Sequence, residues 1–197
     1  YEKEFKSGLL DTLFINKSTS LKYKISQNSL NFVSEDNPNK YNGTIDFKPF
    51  YLSTFINYDG ISLKNIFDSD SIFVDLFESE ILNNKNLSAN LNLTVKDITN
   101  INELNNLNLK IFIEEGDIKF SDSSIMWKDD LKIELDEGQL AINDEGINLF
   151  GTIKIDFKDI NNFYSSFQTK KINRKDIKQI EINFIYNFNS KSFRFDN

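Results

Sequence analysis

The residue types that carry out most protein chemistry are missing from this 197-residue chain, which has no His and no Cys. Their absence removes Ser-His-Asp and Cys-His catalysis, disulfides, thiolate or imidazole metal sites, and a histidine pH switch. Catalysis would have to rest on carboxylates, Lys, Ser or Tyr. Carboxylates adjoin at Glu114-Glu115, Asp129-Asp130, Asp136-Glu137 and Asp144-Glu145. A glycosidase needs two carboxyl groups facing one another at about 5–10 Å, one of them with its pKa raised by an apolar setting. Here the first, third and fourth pairs fall in expected hairpin turns, where carboxylates are solvated. Asp68, Asp70 and Asp75 lack the ligand spacing of a calcium loop, and so do Asp117 and Asp122. There is no Gly-rich phosphate loop and no G-x-S-x-G elbow. The residues point away from an enzyme and call for no metal and no cofactor.

The elements that would position any site announce themselves by alternation. Leu87, Ala89, Leu91, Leu93 and Val95 alternate with Ser88, Asn90, Asn92, Thr94 and Lys96. Successive side chains of a strand point to opposite faces, so this run has one apolar and one polar face. The same pattern holds at Leu107, Leu109, Ile111 and Ile113, and at Leu131, Ile133 and Leu135. It recurs from Ile147 to Phe157 and from Ile180 to Phe188. Glu114-Glu115-Gly116-Asp117, Asp136-Glu137-Gly138-Gln139 and Asn143-Asp144-Glu145-Gly146 read as the hairpin turns between these strands. A further hairpin is expected at 187–191, ending in a strand over 192–195. One-face alternation is an antiparallel habit, so residues 106–156 read as an antiparallel meander. Less regular strands are expected over Leu9–Ile15, Leu21–Ile25, Leu30–Val33, Tyr41–Phe47 and Tyr51–Tyr58, with a turn at Asn37-Pro38-Asn39.

Two segments change period. Ile72, Phe73, Leu76, Phe77 and Ile81 share one helical face within 69–82. Ile160, Phe163, Tyr164 and Phe167 do the same within 159–169, with Asp159 as N-cap. Both read as short amphipathic helices packed on a sheet. Trp127, the single Trp, is expected in a core or groove. Gly43-Thr44-Ile45-Asp46-Phe47-Lys48 is echoed by Gly151-Thr152-Ile153-Lys154-Ile155-Asp156-Phe157-Lys158. The echo suggests a unit repeated along the chain, with possible units 1–86 and 87–197.

Composition sets the setting. The chain has 27 Asn, 25 Ile and 21 Lys but only 2 Arg, the bias of A/T-rich codons. Matches to the N-glycosylation pattern at Asn16, Asn42, Asn86 and Asn92 are expected by chance at that Asn content. The net charge of −7 argues against nucleic acid as a partner. Lys170, Lys171, Arg174, Lys175 and Lys178 form the densest basic run and read as a solvated face. No apolar run is long enough to span a bilayer as a helix. The chain opens on Tyr1 rather than Met. We therefore read 1–197 as a single β-rich domain taken from a longer, repeat-built protein.

The stretch from Gly43 through Lys48-Pro49-Phe50-Tyr51-Leu52, followed by Tyr58-Asp59-Gly60-Ile61-Ser62-Leu63-Lys64-Asn65-Ile66-Phe67, resembles the AsmA-like proteins. In that family a strand with a Pro-Phe step precedes an apolar helical segment. The meander from Leu87 to Phe157 is similar to their succession of strand, Gly-turn and strand. Phe163-Tyr164-Ser165-Ser166-Phe167-Gln168, Arg174-Lys175 and Ile180-Glu181-Ile182-Asn183-Phe184 resemble the close of such a domain. The resemblance spans about 150 residues and rests on pattern rather than on invariant motifs. It implies a periplasmic segment, attached to the inner membrane through an anchor outside this chain. Its β units would form an apolar groove sheltering phospholipid acyl chains on their way between inner and outer membranes, with other envelope proteins as possible partners. It carries over no catalytic residue.

The expected fold is therefore mainly β, an antiparallel meander forming a large curved sheet or open groove with two helices on it. The expected groove lining is Leu91, Leu93, Leu109, Ile111, Ile133, Ile153 and Ile155. The competing expectation is a β-sandwich interaction or adhesion domain with a closed, dry core.

Overall fold

A computed structural model describes residues 5–14, 17–62, 84–143 and 146–196. Its strands are β1 (Lys6–Phe14), β2 (Lys17–Ile25), β3 (Ser29–Ser34), β4 (Tyr41–Phe47), β5 (Phe50–Ile61), β6 (Ser88–Ile98) and β7 (Leu104–Glu114). They continue with β8 (Asp117–Phe120), β9 (Ser123–Trp127), β10 (Leu131–Asn143), β11 (Gly146–Phe157), β12 (Gln179–Asn187) and β13 (Ser192–Asp196). All belong to one sheet, laid down in chain order, with β8 and β9 sharing the lane between β7 and β10. Every pair is antiparallel except β5–β6, which is parallel. A purely antiparallel meander is thus corrected at one place. Strands β5 and β6 are separated by residues 62–87, long enough for the crossover that a parallel pair requires.

The described residues hold one α-helix, α1 (Ile160–Ser166), and a single 3-10 turn at Lys171–Asn173, rather than two α-helices. The segment expected to be helical over 69–82 lies outside the described residues. Helix α1 starts as expected, the Asp159 carboxylate accepting from the Asn161 N–H at 2.9 Å. It stops three residues early. Gln168 adopts a left-handed φ of 52°, and the N–H groups of Gln168 and Thr169 close back on the carbonyls of Ser165 and Tyr164.

Four turns were legible, the first at Asn37-Pro38-Asn39, where the Lys40 N–H donates to the Asn37 carbonyl at 2.9 Å. Glu114 pairs with Asp117 around Glu115 and Gly116, both at positive φ, as a tight two-residue hairpin requires. Asn143 pairs with Gly146, and Asn187 with Ser192. The segment Asp136-Glu137-Gly138-Gln139 is not a turn. It lies inside the 13-residue β10, whose register against β11 shifts between Asp136 and Gln139. Two residues, Glu137 and Gly138, face Gly151 alone, which is a β-bulge. The sequence carries the reason in its parity. Leu131, Ile133 and Leu135 occupy odd positions, whereas Leu140 and Ile142 occupy even ones. One extra residue is needed to keep all five on a single face.

Two more extra residues sit alongside. Asp122 separates β8 from β9 and returns Phe120 and Ser123 to one face. On β7, Asn106 shifts the register against β9. All three bulge residues, Asn106, Asp122 and Glu137, are left-handed at φ 49–50°. Each bulge deepens the local twist, so three on adjacent lanes curl this part of the sheet. Gly151 allows the close approach that results: a Cβ there would stand 2.9 Å from the Cα of Gly138.

The two echoed glycines, Gly43 and Gly151, each lie opposite a Phe on the apolar face, Phe32 and Phe184. A Cβ on Gly43 would lie 2.9 Å from Cε1 of the Phe32 ring. At Gly43 an aromatic ring covers bare backbone, whereas at Gly151 the space is taken by the neighbouring backbone of Asp136 and Gly138. The strands continue differently, β4 into the hairpin to β5 and β11 into α1.

The apolar face is buried from β4 to β8, and the buried cluster reaches on to Leu140 and Ile147. Tyr58, Val95, Ile98, Ile111, Ile113 and Ile118 are all buried in one cluster. Inside it the Tyr41 and Tyr58 rings meet edge to face at 5.5 Å. Burial holds both hydroxyls above the ordinary tyrosine pKa of 10.0, and Tyr58 is raised further by its hydrogen bond to Tyr41.

Two predictions follow from these features. Deleting Glu137 would turn the buried Leu140 to the polar face, at about 1.5–3 kcal/mol, a large share of a typical domain's stability, together with the more exposed Ile142. Glu137→Gly keeps the residue count and relieves the left-handed strain. Thermal melts are expected to show loss of cooperative unfolding for the deletion and an equal or higher Tm for the glycine variant. The tyrosine pair contributes fully below pH 10 and progressively less above it, because the unfolded chain ionises there while the folded pair resists. Denaturant midpoints should fall as pH rises past 10, less steeply in Tyr58→Phe.

Candidate apolar binding site

The curled part of the sheet leaves a pocket of about 380 Å³ on the apolar face. Its lining comes from Leu107 and Leu109 of β7, Ile125 of β9, Ile133 and Leu135 of β10, and Leu149 and Ile153 of β11. Phe184 and Tyr186 of β12, Phe188 in the turn that follows it, and Phe193 of β13 complete the apolar wall. In a flat sheet β7 and β13 would stand about 24 Å apart, five strand spacings at ~4.8 Å. That one pocket touches both requires the face to be concave here.

Cross-strand register explains the lining. Leu135 pairs with Ile153, Ile153 with Ile182, and Leu149 with Tyr186, so these side chains share one face. Beyond them Tyr186, Phe188 and Phe193 form an aromatic cluster, with Tyr186 at 4.9 Å from Phe188 and 4.7 Å from Phe193 between ring centres. The lining also includes Asn108, Ser123, Ser124 and Glu134. The buried Ser123 hydroxyl is occupied, accepting from the Lys110 N–H at 3.0 Å and donating to its carbonyl. Glu134 is ion-paired with Lys132.

The charges lie on the other face. Lys110 pairs with Asp122 at 3.3 Å, and Lys154 with Asp136, whose hydrogen bond and charge raise the lysine pKa. From Leu107 to Ile113 on β7 and through β8–β13, no Asp, Glu, Lys or Arg falls on the ladder positions of the apolar face. At one end of that face α1 packs down. Phe163 meets Phe157 at 5.3 Å, and Phe167 meets Trp127 at 6.0 Å. Trp127 is thus held between sheet and helix, its indole N–H buried without a partner.

Of the expected lining residues, the structure brings Leu109, Ile133 and Ile153 together at the pocket. Leu93 and Ile111 lie in the closed cluster, with Leu91 packed against it. Ile155 pairs with Ile133 and Ile180 on the same face, half-buried and outside the pocket's lining. Sequence reasoning missed the aromatic wall of Phe184, Tyr186, Phe188 and Phe193. Its available signal was parity, since Phe184 and Tyr186 continue the Ile180, Ile182 series.

The described acidic pairs do not converge. Glu114-Glu115 sits at the β7–β8 hairpin, Asp129-Asp130 at the β9–β10 turn, and Asp136-Glu137 at the bulge, while Asp144-Glu145 lies outside the described residues. Among the described residues no group of three or more acidic side chains could hold a metal ion, and no helix is long and apolar enough to cross a membrane. The basic run beside α1 is mostly exposed, with Ile172 at its tip 90% exposed. Set against family models, curated proteins and solved structures, the chain matches none of them.

Because Trp127 is the one Trp, its fluorescence reports the α1 contact. Phe167→Ala should shift emission to the red at a stability loss of about 1 kcal/mol, Phe167 being half exposed. An unshifted spectrum would mean that α1 does not cover Trp127.

Proposed function

We propose that this chain is a non-enzymatic segment that shelters the acyl chains of phospholipids in the concave apolar face of its sheet. The observation that carries the reading is that the ladder positions of this face are free of charge across β7–β13 and line an apolar pocket of about 380 Å³. Hydrocarbon gains about 25 cal/mol for each Å² it removes from water there, while a headgroup stays outside. The sequence resemblance to AsmA-like proteins agrees with this reading. It adds a setting: a periplasmic segment, anchored to the inner membrane by a part of the protein outside this chain, serving phospholipid transport between the two membranes or envelope maintenance.

The second reading, an interaction domain with a dry core, draws on the closed cluster between β4 and β8. A two-sheet sandwich is disfavoured because every described strand belongs to one sheet.

The test is to purify the chain from cells, extract it with organic solvent and look for phospholipid by mass spectrometry, alongside binding of a fluorescent fatty acid. Wild type should carry lipid. Ile133→Asp and Ile153→Asp place a charge in the pocket and should lose it while keeping the β circular-dichroism spectrum. A folded wild-type chain that neither carries lipid nor binds the probe would end this reading.

A further inference from the structure

A pocket can recognise an amphiphile by its charged head or by its hydrocarbon tail, and the two leave different marks. A head-reading site places a cation, an anion or free hydrogen-bond donors at the mouth. Here the ladder positions around the pocket are uncharged on all lanes from β7 to β13. The one ionised residue in the lining, Glu134, is already paired with Lys132, the Ser123 hydroxyl is committed to the Lys110 backbone and the Asn108 amide to the Asp122 carbonyl, so the remaining polar groups of the lining are the neutral hydroxyls of Ser124 and Tyr186, which cannot rank heads by charge. Lys110, Lys132 and Lys154 are all ion-paired on the opposite face. The size of the space is the second mark. At about 30 Å³ per methylene, taken as the share a water holds in the liquid, the pocket of about 380 Å³ has room for one unbranched chain of roughly a dozen carbons.

We infer that the pocket measures hydrocarbon length and does not read the headgroup, so that it takes one acyl chain from anionic, zwitterionic and neutral amphiphiles alike. This rests on the sheltering role proposed above and specifies what that role selects. A segment that ignores headgroups would pass on a mixture of lipids as it receives it, leaving any choice of lipid class to another component.

Calorimetric titration of the full chain, below each probe's micelle concentration, tests this in two series. In the first, tail length is fixed: lauric acid, dodecylphosphocholine, dodecyltrimethylammonium and dodecyl maltoside should bind within about tenfold of one another. In the second, the head is fixed: from octanoic to palmitic acid, affinity should climb by about fourfold per methylene and level off near a dozen carbons. Ile133→Phe, which fills part of the pocket with an apolar ring, should move the plateau to shorter chains. Affinities ordered by head charge over more than about tenfold, no rise with tail length, or a plateau that Ile133→Phe leaves in place would each overturn the inference. Failure of all four dodecyl probes to bind would overturn the sheltering role itself, whereas binding ordered by headgroup would overturn only the indifference to it.

Discussion

A strand has two faces, and parity alone decides which one a side chain occupies. Everything in this molecule depends on keeping that parity in step across the lanes of one sheet. A single uncorrected slip would carry a strand's leucines into water and its lysines onto the apolar face. The chain meets the constraint with extra residues. Asn106, Asp122 and Glu137 each take a left-handed conformation and add one position to β7, the β8–β9 lane and β10. Leu135 and Leu140, five apart in sequence, thereby face the same way.

The correction has a geometric consequence. Bulges bend and twist a sheet; those at Asp122 and Glu137 stand level on adjacent lanes, and the one at Asn106 follows further along β7. Gly138 and Gly151 let the backbones approach there, and the Phe184 ring lies opposite Gly151. The concavity that brings Leu107 and Phe193 to one pocket is therefore tied to the device that preserves sidedness. On the β4–β8 side the same face is buried, at Tyr58, Val95 and Ile118 among others. One continuous surface thus serves as a core at one end and as an open site at the other.

Much of the fold was legible because period two is a local signal. The runs at Leu87–Val95, Ile147–Phe157 and Ile180–Tyr186 needed only their own residues to be read as one-faced strands, and Glu115-Gly116 needed only its turn chemistry. Asp136-Glu137-Gly138-Gln139 misled because a bulge and a hairpin ask for the same residues, an αL position beside Gly. What separates them is whether the chain reverses, and that is decided by the partners of Gln139 and Leu140 on β8 and β11. The parallel β5–β6 pair was hidden for a similar reason, since Leu52 and Ile56 alternate as an antiparallel strand would.

The site divides along the same line. From the sequence alone came the absence of His and Cys chemistry, the two-faced strands and the sorting of Leu, Ile and Phe from Asn, Lys and Asp. Those follow from composition and parity, which require no knowledge of neighbours. The tertiary structure decided where that apolar face is shut and where it stays open. Leu93 and Leu109 are indistinguishable as sequence and even pair across β6–β7. Both are buried in the same cluster, but Leu109 also borders the pocket and Leu93 does not, because the curl that opens the space lies on the β9–β12 side of β7. Curvature is the sum of bends on several strands, and no single strand's pattern contains it.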